Sequence, residues 1–282
     1  MDIRAEVWSP LQNTAVWLGA WLYGHAATDD FLDALRTLGG EQTVADGRPF
    51  VDLLALVREE ATAAATATTA ADGDSPGEPV VRLILSGPGE APALPAGSES
   101  AKRAARNRSG AIVVRTADPD RHLVLIPDAG PRPDAHRSTG DSGRDAAVGT
   151  QWEVIEETTP LPAPAWLSPG EADALLTEAT NESADMIEAA AAQAEFAAPD
   201  LPRPRLTVGT LSDFYDTPGL PAAVPARAAK LFARADNVAA IIEAVAERAR
   251  DHSFDPQLLR LWRHIRAARM TGVAYSVREF SR

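Results

Sequence analysis

Hydrophobic residues recur in this chain with two different periods, and the periods are segregated: helical spacing occupies both ends and short apolar runs occupy the middle. Near the N-terminus, Ser9 and Pro10 form an N-cap and first-turn pair. Leu11, Ala15, Leu18 and Leu22 follow at helical spacing, with Gly24 as the stop. Thr28-Asp29-Asp30 opens a second helix carrying Phe31, Leu32, Leu35 and Leu38, with its acids at the positive end of the helix dipole and Gly39-Gly40 ending it. Pro49 to about Ala61 reads as a third, with Phe50, Leu53, Leu54 and Val57.

Residues 61–79 lose every large apolar side chain and end in Gly, Ser and Pro, so they are expected to be a linker. Beyond it, Val80–Leu85 is an apolar run, and Ala111–Arg115 and His122–Ile126 flank the turn Thr116-Ala117-Asp118-Pro119-Asp120 as a hairpin. Gln151–Glu156 alternates apolar with polar residues. Two loops, 86–100 and 127–150, are rich in Gly, Pro and Ser, and the second is expected to be disordered.

Helical spacing then resumes. Ser168-Pro169-Gly170-Glu171 is a capping box, and Leu176, Ala179, Ser183 and Ile187 fall on one stripe with acids on the other faces. A helix from about Pro225 to Arg250 places Ala228, Leu231, Ala235, Val238, Ile242, Val245 and Ala249 at alternating spacings of 3 and 4, a three-heptad seam. Asp255-Pro256 caps a last helix with Leu258, Leu261, Trp262 and Ile265. The expected fold class is α+β: an N-terminal helical unit over 1–60, a linker over 61–79, a small mostly antiparallel sheet unit over 80–158, and a C-terminal helical bundle over 165–282.

Charge is polarised along the chain. Residues 145–202 hold twelve carboxylates and no Lys or Arg, whereas residues 248–282 carry eight Arg against Asp251, Asp255 and Glu279. Such poles bear on association and partners rather than on fold. A net charge of −13 makes nucleic acid an unfavourable general partner, because phosphate contacts need a basic surface. The N-terminal residues lack the pattern of a signal peptide, and the uncharged stretch 7–28 is too interrupted by polar residues for a membrane span. With no Cys, disulfides, thiol catalysis and Cys-ligated metals are excluded, and a reducing cytosol is the expected location.

Motifs with chemical potential each meet a plainer reading. Ser86-Gly87-Pro88-Gly89 follows a strand, but it lacks the third Gly and immediate helix of a dinucleotide loop, and Pro88 has no N–H to offer. The histidines 25, 122, 136, 252 and 264 have no metal-ligand or triad spacing, so no metal or cofactor is expected. Asp213 and Asp216 fit a solvated helix face. Lys102, Arg103, Arg106 and Arg108 form a basic patch without interleaved aromatics, which does not support base stacking. In the last helix, Arg269 falls about 20° from Leu258 at 100° per residue, on the apolar stripe. A buried Arg needs a carboxylate or must snorkel. The alternative to such a structural bridge is an anion clamp with Arg266.

The segments AVWLGAWLYGHAATDDFLDALR, RLILSGPGEAPALPAG and QWEVIE, in that order, resemble a family of actinobacterial proteins of unknown function, over roughly residues 10–160. The resemblance implies a cytosolic bacterial protein and supplies no catalytic residues. The balance of signals is against an enzyme. The leading reading is a non-enzymatic cytosolic protein-interaction or regulatory protein whose partner is itself or another protein. The second is an enzyme or binding protein for a small anionic ligand, using Arg266 and Arg269 or the patch of Lys102, Arg103 and Arg106.

Overall fold

The computed structural model describes residues 10–71, 78–87, 90–107, 110–129, 149–164, 166–193, 219–248 and 255–282. Ser9, Arg108, His136, Asp213, Asp216, His252 and most of the 127–150 loop lie outside them.

Three helices come first: α1 Pro10–Leu22, α2 Thr28–Gly39 and, after the short strand β1 Glu41–Val44, α3 Phe50–Ala71. β2 Val81–Ile84, α4 Glu99–Asn107, β3 Ala111–Arg115, β4 His122–Ala129 and β5 Gly149–Glu157 form the middle. The end is helical, with α5 Pro169–Gln193, α6 Ala226–Arg248 and α7 Asp255–Phe280. The fold is α+β, and the five-stranded sheet has the order β1-β5-β4-β3-β2, antiparallel except where β1 runs parallel to β5. The expected hairpin is present, with Arg115 opposite His122.

Two expectations need correction. The first part of the expected linker, 61–71, is helix: α3 runs through Ala71, with Ala61 and Ala64 buried. Ala is the strongest helix former, and the interspersed Thr residues are accommodated because Thr62 and Thr66 donate their hydroxyls to the carbonyls of Arg58 and Thr62. The loss of large apolar residues marked the edge of the core, not the end of the helix. Likewise 86–100 is not all loop, because α4 begins at Glu99, with Ser98 Oγ accepting from the Ala101 N–H at 3.1 Å.

Sheet and helices share cores. One sheet face, including Leu83, Ile112, Val114, Leu123 and Trp152, packs with α1, α2, α3, Phe232 of α6, and Val273, Val277 and Phe280 of α7. The other face, with Ile84, Val113, Val124 and Ile126, is covered by Leu94 and by Ala104 of α4. A further core joins Leu176 of α5, Leu231 and Val238 of α6, and Trp262 and Ile265 of α7. α7 therefore serves both the bundle and the sheet. At 26 residues it is about 39 Å long. Five positions of the expected seam, Ala228, Leu231, Ala235, Val238 and Ile242, are buried inside the molecule. The acidic α5 and the Arg-rich α7 pack together, with Glu182 and Arg260 2.9 Å apart. Among the described residues, no helix is long and apolar enough to cross a membrane.

Candidate functional site

The two arginines singled out in the last helix are both buried and both paired. Arg269, 3% exposed, donates from Nη2 to Asp236 Oδ1 of α6 at 2.6 Å. The apolar phase of its position puts the guanidinium inside, and Asp236 sits where α6 faces α7. Arg266, 6% exposed, donates from Nε to Glu90 Oε2 at 3.0 Å. It lies so close to the loop after β2 that a β-carbon on Gly87 would stand 2.5 Å from its Nη1. A side chain there would have to displace the guanidinium, which Glu90 holds in place. The two arginines pair with different carboxylates.

The basic patch sits on α4. Arg103 is held by Glu99 at 2.8 Å and lies 3.6 Å from Glu153, whereas Lys102 and Arg106 are exposed and carry no ion partner among the described residues. α4 turns Ala101 and Ala104 to the sheet and Lys102 and Arg106 to solvent, as a short helix with few apolar residues must.

Among the described residues, His122 and His264 are withdrawn from solvent. His122 is buried at the start of β4, and burial, followed by the nearby Arg115 and Arg82, pushes its pKa below the ordinary value against the opposing pull of Glu78. His264 is shifted down by burial and then by Arg260 and Arg263, with Glu182 and Glu178 opposing. Glu157 is buried. Burial raises its pKa, but hydrogen bonds outweigh it: Ser100 Oγ donates at 2.6 Å and the Thr159 N–H at 3.1 Å, so the net shift is downward. Among the described residues no group of three or more His, Asp or Glu could hold a metal.

Sequence reasoning passed over the concavity between the start of α5 and α6. It is an open groove of about 800 Å³, lined by Ser168, Pro169 and Gly170 at the α5 end and by Arg227, Lys230, Leu231, Arg234 and Val238 of α6. The capping box forms one edge: the Ser168 N–H donates to Glu171 Oε2 at 2.8 Å, and the Glu171 N–H donates to Ser168 Oγ at 3.2 Å. Arg234 is tied to Asp173 at 2.7 Å and donates to Thr177 Oγ1. Arg227 and Lys230 are exposed and have no ion partner among the described residues. The available signal was the spacing of Arg227, Lys230 and Arg234 at 3 and 4 along the polar side of the seam.

Two family models match the chain: the Rv1486c-like protein N-terminal domain over residues 12–166 and the Rv1486c-like protein C-terminal domain over 170–270. Their division falls at the capping box that opens α5. The chain is 25% identical over 254 residues to the uncharacterized protein Rv1486c of Mycobacterium tuberculosis strain H37Rv, covering 86% of this chain and 85% of that one. It is also 25% identical over 256 residues to the uncharacterized protein ML1804 of Mycobacterium leprae, covering 84% of each. No solved structure matches. With both domains matched in order, the chain belongs to the Rv1486c-like family.

Proposed function

We propose that this chain is a non-enzymatic cytosolic interaction protein and that its contact surface is the groove between α5 and α6. One observation carries the reading: the exposed lining of the groove is mostly apolar, with Leu231 and Val238 almost wholly covered beneath it, and Arg227 and Lys230, which have no ion partner among the described residues, stand at its edge. An apolar floor with charged groups at its edge is the chemistry by which a groove takes an amphipathic segment of opposite charge. A small-anion site at Arg266 or Arg269 is the weaker reading, because an incoming anion would first have to displace Glu90 or Asp236.

The test is capture from a lysate of the native host on immobilised wild type, on R227E/K230E and on a control, K102E/R106E, that reverses two cations elsewhere. The proposal expects the same proteins on wild type and control and their loss from the groove variant. Identical capture by all three would overturn it.

A further inference from the structure

We infer that the occupant of the groove is a second copy of this chain, docking by the outer face of α5. The inference rests on the groove being the contact surface. It adds the identity of what fills it.

Both halves of the interface are exposed on one molecule. On α6, Arg227, Lys230, Arg234 and Ile241 fall within about 60° of one another at 100° per residue, so the cations and the groove share one face. Ile241 is 43% exposed and continues that face as an apolar patch. On α5, the face turned away from Leu176 carries Asp185, exposed and without an ion partner among the described residues, and Glu178, exposed but near enough to His264 of α7 to act on its charge, flanked by Leu175 at 40% exposure and Met186 at 37%. Glu178 and Asp185 are about 10.5 Å apart along the helix; of the cations on the groove face, Arg227 and Lys230 have no ion partner among the described residues, whereas Arg234 is already held by Asp173. Charge and apolar content are complementary: carboxylates with Leu and Met on one side, cations with Ile on the other.

The placement of α5 makes the pairing reciprocal. Its first turns are one wall of the groove. An α5 from a second copy laid in that groove touches both α5 and α6 of the first, and the first copy's α5 is thereby brought against the second copy's groove. That is the self-complementarity of a two-fold interface, with the two α5 helices inside and each α6 outside. The long-range repulsion between copies of charge −13 is screened beyond about 8 Å at physiological salt, whereas contacting pairs act within that distance.

The experiment is light scattering on the full chain from about 1 to 200 µM, a range that covers weak dimers, for wild type, R227E/K230E, E178K/D185K and an equimolar mixture of the two variants. All substituted residues are exposed, and circular dichroism confirms that each variant is folded. R227Q/K230Q provides a milder groove change should the reversal disturb the helix. Wild type is expected to dimerise, and each variant alone to weaken the dimer at least about tenfold, because like charges then face each other. The mixture is expected to recover dimers, since reversed groove meets reversed helix and native groove meets native helix. A monomeric wild type, a variant that dimerises as wild type does, or a mixture that stays monomeric would each overturn the inference. A monomeric wild type whose lysate capture still depends on Arg227 and Lys230 would remove the second copy as occupant and leave the groove as the contact surface.

Discussion

Replacing Gly272 by Ala pits two opposed effects against each other at the point where α7 crosses α6. The substitution favours an isolated helix by about 1 kcal/mol. In the folded chain a β-carbon on Gly272 would stand 2.4 Å from Phe232 Cε1, 2.8 Å from Cζ and 3.1 Å from Cδ1. Carbon atoms prefer about 3.5 to 4.0 Å, so the ring must retreat by about 1 Å. Phe232 is 2% exposed and belongs to the core formed with α1 and the sheet, which leaves no open side to move into. Overpacking of this kind costs about 1 to 3 kcal/mol, which, less the helix gain of about 1 kcal/mol, leaves an expected net loss of up to about 2 kcal/mol. The assay is urea unfolding followed by circular dichroism and tryptophan fluorescence, with coincident transitions expected because α7 belongs to both cores. In a Phe232→Leu background the same Gly272→Ala change should be neutral or stabilising. Stabilisation of the wild type, or an equal cost in both backgrounds, would refute the packing argument.

Asp236→Asn should cost about 2 to 4 kcal/mol in the same assay, slightly below a fully buried pair because Asp236 is 35% exposed while its partner Arg269 is not; a loss under about 0.5 kcal/mol would show the charge to be balanced elsewhere. Ser168→Ala removes the acceptor for the Glu171 N–H and should cost about 1 kcal/mol, read as a lower urea midpoint with an unchanged slope. His122 and His264 both have folded pKa values shifted below the unfolded value of about 6.5. The folded chain therefore binds fewer protons, and this contribution is full above that pH and is lost as pH falls from it toward the folded values. Stability measured between pH 7.5 and 5 should decline on acidification, and His122→Gln should flatten part of the decline.

Long periodic segments were legible because their apolar spacing is itself the cause of burial: α1, α2, the start of α3, the hairpin β3–β4, α5 and α7 follow from it. The capping box and the burial of Arg269 were legible for the same local reason. β1 was not. Only Val44 of Glu41–Val44 is buried, and the strand is held by contacts distant in sequence, with Trp152 Nε1 donating to Gln42 Oε1 at 2.7 Å and Thr150 Oγ1 donating to the Gly39 carbonyl at 3.0 Å. The carboxylate partners Glu90 and Asp236 could not be read from spacing either, since they lie 176 and 33 residues from their arginines. The groove escaped notice because α6 was read for its buried stripe. Its cationic stripe acquires meaning only beside the first turns of α5, some 60 residues earlier in the chain.

The chain's two lysines allow the groove to be tested directly: Lys230 lies in it, and Lys102 is exposed on α4, away from it. Amine-reactive labelling read by mass spectrometry, on dilute purified chain, on concentrated chain and in native-host lysate, reports both in one experiment. If the groove is the contact surface, labelling of Lys230 falls at high concentration or in lysate while that of Lys102 stays constant. Equal labelling of both lysines under every condition, or selective protection of Lys102, would contradict it.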